Sequence, residues 1–205
     1  MRVIGGRFGG RKLVGFDEDH IRPTSDRVKE SLFNILRHEI DLQPDMDHEV
    51  VVLDLFSGTG NLAFEALSRG AKHVVCVEKS KRSIEIIKKN RSGLEVSNSQ
   101  CQIVQKDVFV FLKAGTKNLE IEKPFDIILI DPPFTEKIAH KVMETLAQSP
   151  SLFDIHTVIA IESSRRERLD KEYLQLSLTD QREFGDKKLS FFKKTDKALS
   201  ELLPN

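Results

Sequence analysis

The chain has little cysteine and no excess of either charge. Its two cysteines, Cys76 and Cys101, lie in different apolar segments with no ligand-spaced partner, which argues against a zinc site. They read as small core residues of a reducing compartment. Lys and Arg together number 32, as do Asp and Glu, so bulk charge points to no partner. No apolar run reaches the ~20 residues that span a bilayer. The opening MRVIGGRFGG lacks the apolar stretch of a signal peptide. There is no internal repeat and no low-complexity linker. The expectation is a soluble cytoplasmic monomer of one domain with a small appendage, bound to neither membrane nor metal.

What charge there is clusters. Arg2, Arg7, Arg11 and Lys12 occur without an acid in the first twelve residues, and Lys187, Lys188, Lys193, Lys194 and Lys197 crowd the end. Such patches can hold phosphates on a neutral protein. Residues 1–22, rich in Gly and Arg, read as a hairpin arm outside the main core. IRPTSDRV then opens a helix, with Thr24 or Ser25 as cap and Val28, Leu32, Ile35, Leu36 and Ile40 at helical spacing, fading before Pro44. From residue 50 short apolar runs alternate with amphipathic helices: strands at 50–56, 73–78, 101–105, 125–130 and 157–162. Ser80 caps one of the helices. That alternation means a parallel sheet covered on both faces. YLQLSLTDQREF and KLSFFKK, joined through Gly185 and Asp186, read as an antiparallel hairpin closing the sheet, and residues 196–205 as a loose tail.

LDLFSGTGNLA places Gly58 and Gly60 at the carboxyl end of the first strand of the repeat, where open α/β sheets bind ligands. The loop alone fits two ligand classes. Gly58-x-Gly60-x-x-Ala63 with Glu78 matches a dinucleotide fingerprint. Asp54 favours the other class, because a carboxylate is a poor neighbour for a pyrophosphate and a good one for the ammonium and sulfonium of S-adenosylmethionine. Glu78 could then take both ribose hydroxyls, and Asp107, with Val108 beside it, the adenine amino group. Asp107 also suits a helix N-cap, and the two roles are compatible.

DPPF, residues 131–134, follows the fourth strand of the repeat. Neither Pro132 nor Pro133 has an N–H, and both have fixed φ, so their carbonyls point in set directions. Asp131 adds a charged acceptor and Phe134 a flat face. Such a site accepts both N–H bonds of a planar amine, stacks its ring, and frees the nitrogen lone pair to attack a sulfonium methyl.

DPPF resembles the [ND]-P-P-[YFW] motif of amino-methyltransferases. RVIGGRFGGRKL, RPTSDRVKESLFNIL, VLDLFSGTGNLAFEALSRGA, FDIILIDPPF and FGDKKLSFF resemble, in order, the bacterial RsmD family, which methylates a guanine N2 in 16S ribosomal RNA. Phe134 stands where Tyr is common, and residues 112–124 and those after Lys194 do not match clearly. The resemblance implies a Rossmann-like class I S-adenosylmethionine-dependent methyltransferase: a seven-stranded, mostly parallel sheet with an antiparallel last strand over residues 23–195. It implies cofactor contacts from Asp54, Phe56, Ser57, Gly58, Thr59, Gly60, Glu78, Lys79, Asp107 and Val108. It implies RNA contacts from Arg7, Phe8, Arg11 and Lys12 on the arm, and from Arg22, Pro23, Thr24 and Arg27 near DPPF. Phe8 equally suits an anchor for the hairpin. The same chemistry on adenine N6, cytosine N4 or a protein glutamine is the near rival. A nicotinamide enzyme or a non-catalytic RNA-binding protein is the distant one.

Overall fold

The computed structural model describes residues 1–16, 26–40, 49–115, 119, 124–134 and 137–195. The expected cap at Thr24 or Ser25, the RNA contacts Arg22, Pro23 and Thr24, the helix end near Pro44 and the tail lie outside them.

Five parallel strands form the centre: β1 (Val51–Leu55), β2 (His73–Glu78), β3 (Cys101–Gln105), β4 (Ile127–Ile130) and β5 (Val158–Ser164). Between them run α2 (Asn61–Ser68), α3 (Lys81–Gly93), α4 (Val108–Ala114) and α5 (Ala139–Ala147), preceded by α1 (Asp26–Glu39). β6 (Glu172–Tyr173), β7 (Leu176–Phe184) and β8 (Lys187–Lys194) complete the sheet in the order β3-β2-β1-β4-β5-β8-β7-β6. β8 inserts antiparallel between β5 and β7. The expected hairpin is present, and the two-residue β6 adds an eighth strand at the edge. Two residues carry no alternation that a sequence could display.

Side-chain alternation splits the core in two. Val52, Ile127, Leu129, Val158 and Ala160 face one layer with α1 and α2; Leu53, Leu55, Ile128, Ile130, Ile159 and Ile161 face the other with α4 and α5. Cys76 and Cys101 are free and buried, with sulfurs 3.8 Å apart. None of the described helices is long and apolar enough to cross a membrane.

The arm is part of the core rather than outside it. Arg2 and Lys12 form one antiparallel bridge, and Val3 and Leu13 are buried in the first layer. Glu65, buried on α2, accepts the N–H groups of Ile4 at 2.7 Å and Gly5 at 2.9 Å. Gly6, at φ 73°, sits so close to α2 that a Cβ there would lie 1.8 Å from the Ser68 carbonyl oxygen. Only glycine fits that approach.

Candidate active site

β1 and β4 are parallel neighbours, Leu55 opposite Ile130, so the glycine turn and DPPF leave the same edge of the sheet side by side. The turn is tightly built. Phe56 has φ 62°, outside the usual range of a bulky side chain. The Ser57 hydroxyl donates to the Asp54 carbonyl at 2.7 Å, and Gly60 N–H to the Ser57 carbonyl at 2.7 Å. Gly60, at φ 80°, starts α2, where a Cβ would meet the Phe64 ring at 2.6 Å. Asn90 of α3 clamps the turn by donating to the Thr59 carbonyl at 3.0 Å.

The backbone donors here are used by carboxylates of the protein itself. Gly58 N–H donates to Glu78 Oε2 at 2.9 Å, and Ala63 N–H to Asp54 Oδ2 at 3.2 Å. A dinucleotide pyrophosphate needs those donors and would meet two carboxyl groups already holding them. The arrangement therefore disfavours the nicotinamide alternative. Glu78 also accepts from Ser80 N–H at 2.8 Å, so both its oxygens are held in place, each with a lone pair to spare. Lys79 beside it is exposed. Asp107 caps α4 through Oδ1, accepting from Phe109 N–H at 2.9 Å and Val110 N–H at 3.4 Å. Val108 is buried in the second layer.

Electrostatically the edge is short of positive charge. Asp54 is buried, and burial first, then the charge of Asp131, pushes its carboxyl well above the usual range. Glu162, near the end of β5, is only 4% exposed. Burial and then Asp131 push it up to about 7, against the pull of Lys187. Ile130 pairs with Ile161, so Asp131 and Glu162 follow each other's level on adjacent strands. Buried carboxylates of this kind suit a cationic ligand.

Within DPPF, Pro132 is buried, Pro133 exposed and Asp131 half-buried. Phe134 is half-buried, and the Lys187 ammonium lies 4.6 Å from its ring centroid. Lys187 also donates to Glu162 Oε1. Glu162 carries no sequence motif that marks it as a site residue, and Lys187 stands out only as one of the basic cluster near the chain's end. The signal for Glu162 is TVIAIE, a strand closing on an acid as HVVCVE does.

The RNA candidates separate into two places. Arg7 is exposed and lies 4.4 Å over the Phe8 ring, while Phe8 packs on the first layer and donates its N–H to Ser68 Oγ at 2.8 Å. Arg11 donates to the Gly93 carbonyl at 2.5 Å. Ser68 and Gly93 end α2 and α3, so this tip sits at the opposite end of the eight-residue α2 from Gly60, ~12 Å along the helix. The structure does not bring it to Asp131. Lys12 is exposed beside Arg2, whose guanidinium reaches Asp26 at 3.0 Å. Arg27 lines a concavity of about 490 Å³ with Asn34, His38, Arg182 and Phe184, between α1 and β7. Arg182 is a second cation there that the periodicity of β7 did not single out.

Comparison with known proteins agrees with this architecture. The model of the family described as conserved hypothetical protein 95 matches residues 1–193. The ribosomal RNA small subunit methyltransferase D of Haemophilus influenzae is 37% identical over 149 residues, 73% of this chain and 72% of that protein. A candidate rRNA methyltransferase of Bacillus subtilis is 32% identical over 194 residues, 95% of this chain and 99% of its own length. The crystal structure of a candidate methylase from Haemophilus influenzae superposes with a TM-score of 0.75 at 29% identity, covering 95% and 98% of the two chains. With that family model matching residues 1–193 and relatives above 30% identity over most of its length, the chain belongs to the conserved hypothetical protein 95 family, that of the small-subunit ribosomal RNA methyltransferases D.

Proposed function

We propose that the protein transfers the methyl group of S-adenosylmethionine to the exocyclic N2 of a guanine in 16S ribosomal RNA. The observation that carries this is the side-by-side exit of the glycine turn and DPPF from β1 and β4, with buried Asp54 next to Asp131. When bound, S-adenosylmethionine supplies an electrophilic methyl group on a cationic sulfur. Asp54 and the turn from Phe56 through Ser57, Gly58, Thr59 and Gly60 would hold its charged end. Glu78, with Lys79 alongside, would hold the ribose, and Asp107 and Val108 the adenine. The Gly58 and Ala63 N–H bonds fix both carboxylates in advance, so binding need not order them.

Asp131 and a proline-fixed carbonyl of the motif accept the two N2 protons of the guanine. That favours a pyramidal nitrogen whose lone pair is no longer spread into the ring. Phe134 stacks the base, and Asp131 stabilises the positive charge that develops on nitrogen and takes the departing proton. A base can reach Asp131 only out of its stack, so the substrate is a loop or a loosely paired guanine. Arg27 and Arg182 line the concavity between α1 and β7 and would carry phosphates there. Arg7, Arg11 and Lys12 would hold RNA further from the target. A ribosomal substrate implies a cytoplasmic protein, and a monomer suffices for the site described. Among the described residues no group of three or more His, Cys, Asp or Glu could hold a metal ion.

Thermal shift separates the cofactor classes: S-adenosylmethionine should raise Tm, and stabilisation by NAD alone would overturn the assignment. Labelled methyl transfer to naked ribosomal RNA and to purified small subunits, followed by digestion to nucleosides, should yield N2-methylguanosine. N6-methyladenosine as the main product would refute the guanine target.

A further inference from the structure

Glu162 is buried at the catalytic edge, yet the chemistry of DPPF does not call on it. Alternation along β5 puts it on the face of Val158 and Ala160, and alternation along β8 puts Lys187 on that face with Leu189 and Phe191. Asp131 is close enough to perturb it electrostatically. Strands are ~4.8 Å apart, so carboxylates at one level on neighbouring strands can approach two groups of a single base edge. Its Oε1 takes the Lys187 bond. Among the described residues its Oε2 has no hydrogen-bond partner. Lys187 in turn covers one face of Phe134, which leaves the other face for a stacked ring. One lysine therefore ties the second carboxylate to the aromatic ring of the motif.

Two adjacent acceptors suit one base edge better than the others. In guanine the N2 amino group is flanked by N1–H, a donor. In adenine and cytosine the exocyclic amine is flanked by a ring nitrogen that accepts. We propose that Glu162 is the residue that selects guanine: its Oε2 accepts the N1–H of the flipped base while Asp131 holds the N2 amino group. This rests on guanine N2 as the target amine. Lys187 pulls Glu162 toward its accepting, ionised form, against burial and Asp131. An adenine in the same pose would set its N1 lone pair against a carboxylate, a repulsion that rejects it. The charged groups acting on Glu162 are Asp131 after β4, and Lys187 and Asp186 from the hairpin. Raising pH through about 7 frees the acceptor, so discrimination sharpens in the same direction.

The test uses 2-aminopurine, which keeps the N2 amino group but accepts at N1. Two RNAs are made, with guanine or 2-aminopurine at the position that the wild-type enzyme methylates. The wild-type protein should favour guanine in kcat/KM by about tenfold or more, the loss expected when a substrate cannot meet a buried polar group. Glu162→Gln keeps the shape and can donate to N1, and should shrink that preference by about tenfold through better relative use of 2-aminopurine. The ratio is internal to each preparation, so partial misfolding cancels. For a variant too slow to assay, the ratio of equilibrium affinities for the two RNAs replaces it. An unchanged ratio in Glu162→Gln, or no preference in the wild type, overturns the proposal. Failure of the wild type to methylate the guanine RNA would sink the target assignment itself, and shows in the wild-type arm alone.

Discussion

Lys29 of α1 and Glu65 of α2 pair at 3.2 Å with both side chains shut off from solvent. Lys29 also donates to the Arg2 carbonyl at 2.6 Å and to Asn61 Oδ1 at 2.8 Å. Glu65 adds Arg69 at 2.7 Å to the two arm N–H groups. Arm, α1 and the start of α2 therefore share one buried polar network beside the glycine turn. Burial pulls the Lys29 amine below its usual range, opposed by Glu65. Removing one partner strands the other charge. Lys29→Met should cost about 3 kcal/mol or more, a fall in Tm of roughly 6–12 °C. A loss of under about 2 °C would show that the network does not hold the arm.

Asp54 makes cofactor binding depend on pH. Its raised pKa means that the empty protein resists ionising it, and a cation placed beside it favours the ionised form. Affinity for S-adenosylmethionine should strengthen as pH rises toward and through that raised value. Asp54→Asn should weaken it by about tenfold or more and flatten the dependence. Calorimetric titration at several pH values reads both effects. A wild-type affinity indifferent to pH would remove Asp54 from the cofactor site.

Glu162 predicts the opposite sign for stability without ligand. Its value in the fold, about 7, lies above its ordinary 4.5. The stability that comes from keeping it protonated is complete below the lower value and lost as pH rises through the upper one. Thermal melts of Glu162→Gln should therefore gain on the wild type between about pH 5 and about pH 8. A constant gap would mean that Glu162 is ionised throughout.

The arm tip offers a test of RNA contact away from the reacting edge. Replacing Arg7 and Arg11 together should weaken binding and lower the slope of log affinity against log salt by about one to two. An unchanged slope would remove the tip from the interface.

Much of this was legible in the sequence, for physical reasons. Buried parallel strands are continuous apolar runs, so β1, β2, β4 and β5 stood out, and DPPF cannot be anything but a rigid turn. Ser80 and Asp107 act as caps, as their positions suggest. The arm was misplaced because Val3 and Leu13 are isolated apolar residues among glycines and arginines, too few to show a period. Lys29 looks like any exposed helical lysine until Glu65, distant in sequence, is brought against it. Glu162 escaped for a similar reason: an acid after an apolar run reads as the end of a strand, and its closeness to Asp131 and Lys187 exists only once β4, β5 and β8 are laid side by side.

The most direct measurement compares wild type with Asp131→Ala in two readouts on the same samples: labelled methyl transfer to 16S RNA and equilibrium binding of S-adenosylmethionine. A lost acceptor in the transition state should lower kcat by about a hundredfold or more while cofactor affinity stays within about threefold. Near-normal methyl transfer by Asp131→Ala would contradict the account.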